Sequence, residues 1–315
     1  MDPKLEVIHI SRESAYFKPA LAMALRIDGN SRPSTVDAAV NDFLSIAERC
    51  SLDPRPLFGV ISNQLLSATA LGLMSPGRAA MVFVSNAPEK DAAIRAAALA
   101  SLATCRSDLE SRGVLLQQAL ISEGDIATTF LFRESGFRHL TNLLYLRLDT
   151  QIFPRIDFAA QPLSWVSYSE DRRPLFEEAL ESSYVNSCDC PELNNLRQSS
   201  EALESHRAVG EFHPELWWVA LLESKPVGVL LLAHISRLFS TEIVYMGVSH
   251  FARGQGIANS LLDRAVSLSR QNRNTSLTAA VDERNIPARN VYSRWRFVQT
   301  AVQQAWIATS FPNNR

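Results

Sequence analysis

The 315-residue sequence predicts a mixed α/β protein, an α+β mixed sheet in two tandem copies of one domain. Three observations carry this. Runs alternating with period 2 interleave with runs repeating at helical spacing along the whole chain. The order of those runs in the first half recurs in the second with a shift of about 160 residues. Between the halves, Thr150 to Pro162 carries two prolines and little periodicity, as a linker does. The expected layout is a first domain over residues 1–150, a linker over 151–162 and a second domain over 163–315.

In the first half, Leu5 to Ile10 alternates as a strand does, and Ser14 to Arg26 and Val36 to Glu48 have helical spacing. Leu57 to Ile61, Leu65 to Leu73 and Ala79 to Val84 form a predicted meander with turns at Asn63 and Ser75-Pro76-Gly77. An Ala-rich helix follows from about Pro88 to Arg112, stopped by Gly113. Strand Val114 to Ile121, a helix from Asp125 and strand Leu140 to Leu148 end the half. The second half begins with strand Leu163 to Tyr168 and helix Arg173 to Tyr184. A second helix is expected over Pro191 to Arg207, with its proline in the first turn. Trp217 to Glu223 and Pro226 to His234 then make a hairpin around Ser224-Lys225.

The stretch from Glu242 to Phe297 carries the chemistry. A strand, Ile243 to Val248, runs into the turn Arg253-Gly254-Gln255-Gly256, and a helix follows with Ile257, Leu261, Ala265 and Leu268 on one face. Glycines let the backbone approach a ligand, and the free N–H groups of a helix start hold an anion, a pyrophosphate above all. The turn reads Arg253-x-x-Gly256-x-Ala258, and strand Leu277 to Val281 comes next. Asn285, Ala288, Tyr292 and Phe297 follow. This order resembles the GNAT superfamily of N-acetyltransferases, whose acetyl-CoA pyrophosphate loop has that pattern and whose later helix opens on an Asn and carries a Tyr. The family has Gly before the final Phe, where this sequence has Arg296, a departure that bears on the turn and not on the chemistry.

The resemblance implies the acyl-CoA N-acyltransferase fold in two tandem GNAT-like domains, with acetyl-CoA as co-substrate. It implies that Met246, Val248, Arg253, Gly254, Gln255, Gly256, Ile257, Ala258 and Asn285 bind acetyl-CoA. It also implies that Tyr292 protonates the departing thiolate. Each has a bland counterpart: Arg253 as a solvated turn cation, Tyr292 as core filler beside Ala288, Val291 and Trp295, Asn285 as an N-cap alone. For the general base, Glu242 and Glu211 rank first, ahead of Glu215, His250 and His213, because strand-borne and hairpin-entry carboxylates face the acceptor in that fold. In the polar run Asp189 to Arg197, a helix start capped by Asp189 explains most of the sequence, and Glu192 or Asn195 is expected to face the acceptor.

The overlay gives the copies different roles. Leu5 to Ile10 falls on Leu163 to Tyr168, Phe17 to Leu21 on Phe176 to Leu180, and Phe132 to Phe137 on Tyr292 to Phe297. Phe132 has no proton to give, Asp125 replaces Asn285, and Asn86 to Ala93 has no glycine where the second copy has its turn. The first copy is expected to be non-catalytic, a layout similar to two-domain acetyltransferases such as mycothiol synthase, in which one half is degenerate.

Composition sets the remaining bounds. Hydrophobic residues make up 46% and charged residues 20%, enough for a large core, and the net charge of -2 gives no reason to expect nucleic acid or an anionic membrane. No apolar run reaches the roughly 18 residues of a spanning helix, and the N-terminus lacks a signal-peptide pattern. Four cysteines, Cys50, Cys105, Cys188 and Cys190, are too few and scattered for a disulfide framework, and none sits in a zinc pattern. The expectation is a cytoplasmic enzyme, monomer or homodimer, that moves an acetyl group from acetyl-CoA to a primary amine of a small molecule or peptide. The alternative is an acyl-CoA-binding sensor that keeps the cradle without turnover.

Overall fold

The computed structural model describes residues 6–27, 33–151, 158, 161–194, 196–235 and 238–310. The linker expected over 151–162 falls largely outside them, as does Asn195. The chain divides into two compact units, residues 1–140 with 304–315, and residues 141–303. From Thr141 on, the last strand of the first predicted half thus falls in the second unit, and the end of the second half's last strand, from Gln304, falls in the first.

The first unit holds strands β1 (Val7–His9), β2 (Leu57–Ser62), β3 (Leu65–Ser75), β4 (Ala79–Val84) and β5 (Leu116–Ser122) side by side in that order. The end of the last strand, β12 (Val298–Thr309), lies beside β5, where the Ser310 N–H donates to the Leu115 carbonyl at 3.2 Å. Helices α1 (Phe17–Ala24), α2 (Pro33–Arg49), α3 (Ala92–Ser111) and α4 (Ile126–Glu134) complete it. The β2–β3 turn works because Asn63 and Gln64 both take positive φ (50° and 63°), the pair of left-handed residues a two-residue hairpin requires. Gly113, at φ 77°, ends α3 as expected.

The second unit holds β6 (Arg138–Asp149, from Thr141 on) and β7 (Ser164–Ser167). To these it adds β8 (Trp217–Leu222), β9 (Lys225–Ile235), β10 (Ser240–Val248) and β11 (Ser276–Asp282), in the order β6-β11-β10-β9-β8-β7. Helices α5 (Arg173–Tyr184), α6 (Ser199–Arg207), α7 (Ile257–Gln271) and α8 (Ile286–Arg294) pack on it. Glu223 and Ser224, at φ 50° and 66°, make the β8–β9 turn. The helix expected over Pro191 to Arg207 is shorter: a single 3-10 turn spans Pro191–Leu193, Asn194 is extended, and α6 starts only at Ser199. Gln198 and Glu201 form a capping box there, a stronger start than Asp189 offers.

Each unit has a parallel strand pair, β4 with β5 and β10 with β11. The internal repeat holds down to single bonds. Phe137 N–H donates to Phe132 O and Phe297 N–H to Tyr292 O, both at 3.0 Å. The Phe132–Phe137 rings meet edge-on at 4.9 Å and the Tyr292–Phe297 rings at 5.0 Å. Phe17, Ala20 and Leu21 of α1 are buried, as are Phe176, Ala179 and Leu180 of α5. One apolar core in the second unit centres on Trp217, Leu261 and Trp295, and two in the first unit centre on Leu102 and Leu21.

Candidate active site

The site arises where β10 and β11 part. Their pairing runs from Ser240–Ser276 to Ile243–Ala279, while β10 stays paired with β9 through Val248. A bulge between Ile243 and Tyr245 bends β10 away, as bulges do. A cavity of about 400 Å³ fills the wedge, lined by the free half of β10, the turn before α7, the start of α8 and the α5–α6 loop.

The turn supplies the anion cradle. Gly254 and Gly256 have φ 78° and 83°, a left-handed geometry that glycine adopts without strain. Gly256 is the N-cap of α7 and no side chain caps that helix, so its first N–H groups are left for a ligand. Met246, Val248, Arg253, Gly254, Gly256, Ile257, Ala258 and Asn285 all line the cavity. Gln255 is not in the lining; its carbonyl accepts from Gln161 Nε2 at 3.1 Å. Arg253 is more than a solvated cation: its guanidinium donates to the Asn186 and Ser183 carbonyls at 2.8 Å each, fastening the turn to the end of α5. Asn285 does cap α8, accepting from Ala288 N–H at 3.2 Å.

Tyr292 lines the same cavity, and its hydroxyl makes no hydrogen bond among the described residues. Burial pushes its phenol up, with the charge of Asp189 adding to the effect. The two leading base candidates lie elsewhere. Glu242 sits on β10 opposite Thr278, outside the lining, its carboxyl raised by burial. Glu211 bridges to His234, with His213 Nε2 at 3.9 Å from its carboxylate. Glu215 pairs with His213 at 3.3 Å, and His250 Nδ1 lies 3.4 Å from the Ser182 carbonyl. Glu192 does not face an acceptor freely, since Arg284 holds it at 2.6 and 3.0 Å.

Sequence reading missed the ties that fix the α5–α6 loop. Asp282, fully buried at the end of β11, accepts from Thr141 Oγ1 at 2.7 Å, from Cys190 N–H at 3.0 Å and from Arg284. Burial opposes its charge, but those hydrogen bonds outweigh it and hold the carboxyl down at about 2. Asp189, next in the loop, lines the cavity. An Asp at a strand end and another in a loop give no sequence signal, because the two are 93 residues apart. No group of three or more His, Cys, Asp or Glu is arranged to hold a metal among the described residues. No described helix is long and apolar enough to cross a membrane.

The first unit has the same wedge, filled differently. β4 pairs with β5 only from Ala79 to Met81, although it runs on to Val84. Arg26 occupies the gap, its guanidinium bonded to the Val84 carbonyl, to Asp125 at 2.6 Å and to Thr128. The start of α3, the counterpart of α7, is already capped by the Asp91 carboxylate on Ile94 N–H at 2.9 Å.

Parallel strands that splay over a strand–glycine turn–helix cradle define an acyl-CoA N-acyltransferase fold. Residues 176–297 match the acetyltransferase (GNAT) family. The fold of the whole chain is that of a GCN5-related N-acetyltransferase from Sphaerobacter thermophilus (17% identity, 98% of each chain, TM-score 0.66). It is shared by a tandem GNAT protein from the clavulanic acid biosynthesis pathway (13% identity, 99% of this chain and 100% of that one, TM-score 0.58). A GCN5-related N-acetyltransferase from Anabaena variabilis is similar at 10% identity over 98% of this chain and 73% of that one, with TM-score 0.54. No curated protein matches.

Proposed function

We propose that this chain is an N-acetyltransferase moving the acetyl group of acetyl-CoA to a primary amine of a small molecule or peptide, with the chemistry in the second copy. The observation that carries the reading is one cavity holding both an uncapped helix start and a phenol that bonds nothing among the described residues. The N–H groups at residues 254 to 258 suit the pyrophosphate, and the parted edge of β10, Met246 to Val248, suits the pantetheine amides. The amine nitrogen attacks the thioester carbonyl, the carbon–sulfur bond breaks, and the sulfur takes the proton of Tyr292. Burial keeps that phenol protonated, so it meets the thiolate as a donor.

Thiol release from acetyl-CoA, measured against a panel of primary amines, tests the activity. Gly256→Asp places a carboxylate at φ 83° in the cradle and should abolish acetyl-CoA binding by calorimetry. A folded variant with unchanged affinity removes the cradle from this reading. Acetyl-CoA binding without thiol release from any amine favours the sensor instead.

A further inference from the structure

We infer that Asp189 receives the acceptor amine, binding it as an ammonium ion and taking its proton before attack on the thioester. This rests on the transferase reading above and gives that site its acceptor class, a protonated aliphatic amine.

Asp189 is the one carboxylate among the described residues that line the cavity, and it shares the lining with Tyr245 and Tyr292. Its Oδ1 accepts from Asp282 N–H at 3.2 Å and from Asn285 Nδ2 at 3.5 Å, which fixes the carboxylate, while Oδ2 has no hydrogen bond among the described residues. The neighbouring acids are committed: Asp282 is saturated and Glu192 is held by Arg284. The lining cation Arg253 spends its guanidinium on the carbonyls of Val248, Asn186 and Ser183.

The titratable, charged and hydrogen-bonding groups around Asp189 come from several walls. They are Tyr184 of α5, Cys190 of its own loop, Tyr245 of β10, Asp282, Arg284 and Asn285 after β11, and Tyr292 of α8. Enclosure by protein raises the Asp189 carboxyl, Asp282 adds to that, and the Asp282 amide, Asn285 and Arg284 pull the other way. A raised carboxyl is a stronger base than an ordinary Asp, and two acids pushed apart this way take different roles. Of the three ammonium hydrogens, one stays on the product amide and one leaves through Asp189 to solvent. The third replaces the proton that Tyr292 gives to sulfur.

Hydroxylamine tests this because it is largely neutral at pH 7.5 and needs no base, whereas methylamine, benzylamine and cadaverine are protonated. Asp189→Asn should leave acetyl-CoA affinity within about twofold and hydroxylamine turnover within about threefold. It should lower kcat/KM for the protonated amines by on the order of 10²-fold, with part restored in Asp189→Glu. Equal losses for both kinds of acceptor, or none, overturn the assignment. So does a wild-type protein that acetylates hydroxylamine but no protonated amine. Acetyl-CoA binding with transfer to neither kind overturns the transferase reading and this one with it. Should Asp189→Asn fail to fold, the wild-type pH profile decides. A fall in kcat/KM for the protonated amines on acidification, with a midpoint above the ordinary Asp range, is expected, and its absence overturns the assignment.

Discussion

Arg296 shows how a residue can break a family pattern and keep its geometry. It takes φ 58°, the left-handed conformation that Gly136 takes at φ 82° in the first copy, and both precede a Phe whose N–H closes the helix end. An arginine there carries Cβ strain that glycine avoids, and its side chain is exposed. Arg296→Gly should therefore stabilise the protein by about 0.5–1 kcal/mol, read as a higher Tm with turnover unchanged. Tyr292→Phe works the other way. It removes only a hydroxyl that bonds nothing described, so fold and acetyl-CoA affinity should survive while kcat falls by on the order of 10²–10⁴. Full turnover in that variant would leave the phenol a packing residue, as Phe132 is. Tyr292 and the glycines are legible in sequence because a local pattern carries them. Asp189 stood in the sequence only as a cap, because its partner Asp282 N–H comes from a strand 93 residues on.

At the scale of elements, strands and turns were readable because alternation and left-handed residues are local. The helix over Pro191 to Arg207 was not, since nothing local reveals that the Asp282 carboxylate holds Cys190 N–H and Arg284 holds Glu192. Those bonds replace helical ones and pin the loop that carries Asp189. Asp282 should accordingly matter to stability with a definite pH sign. Its carboxyl is held at about 2, below the unfolded value of about 3.9, so its stabilisation is present above pH 4 and is lost as pH falls toward 2. Asp282→Asn should cost roughly 2 kcal/mol near neutrality and flatten that acid limb in thermal melts. His206 adds a separate limb. Burial, with Arg197 beside it, lowers its ring to about 4, so the unfolded chain takes up its proton first and stability falls from about pH 6.5 to 4. That limb should persist in Asp282→Asn; its disappearance would tie the two groups together.

For the whole molecule, the repeat told which elements exist but not which unit each joins. Periodicity assigns β6 to the first half, yet its residues 143–149 pair with Ser276–Asp282 of β11 in the second unit. The end of β12, with Trp306 and Ala308, is buried in the core of the first. Cutting the chain at the apparent linker therefore removes a strand from the sheet that forms the candidate site. A chain of residues 163–315 would leave β11 with an open edge of seven residues, next to the wedge where acetyl-CoA is expected. We expect it to be aggregated or to melt without cooperativity, and to bind no acetyl-CoA, even though it contains every residue of the proposed cradle and acid. The full chain should bind one acetyl-CoA by calorimetry, since Arg26 fills the first wedge and Asp91 already occupies the helix start beside it. A folded 163–315 fragment with full affinity would show that β6 is dispensable to the site. A stoichiometry near two would show that neither Arg26 nor Asp91 closes the first copy.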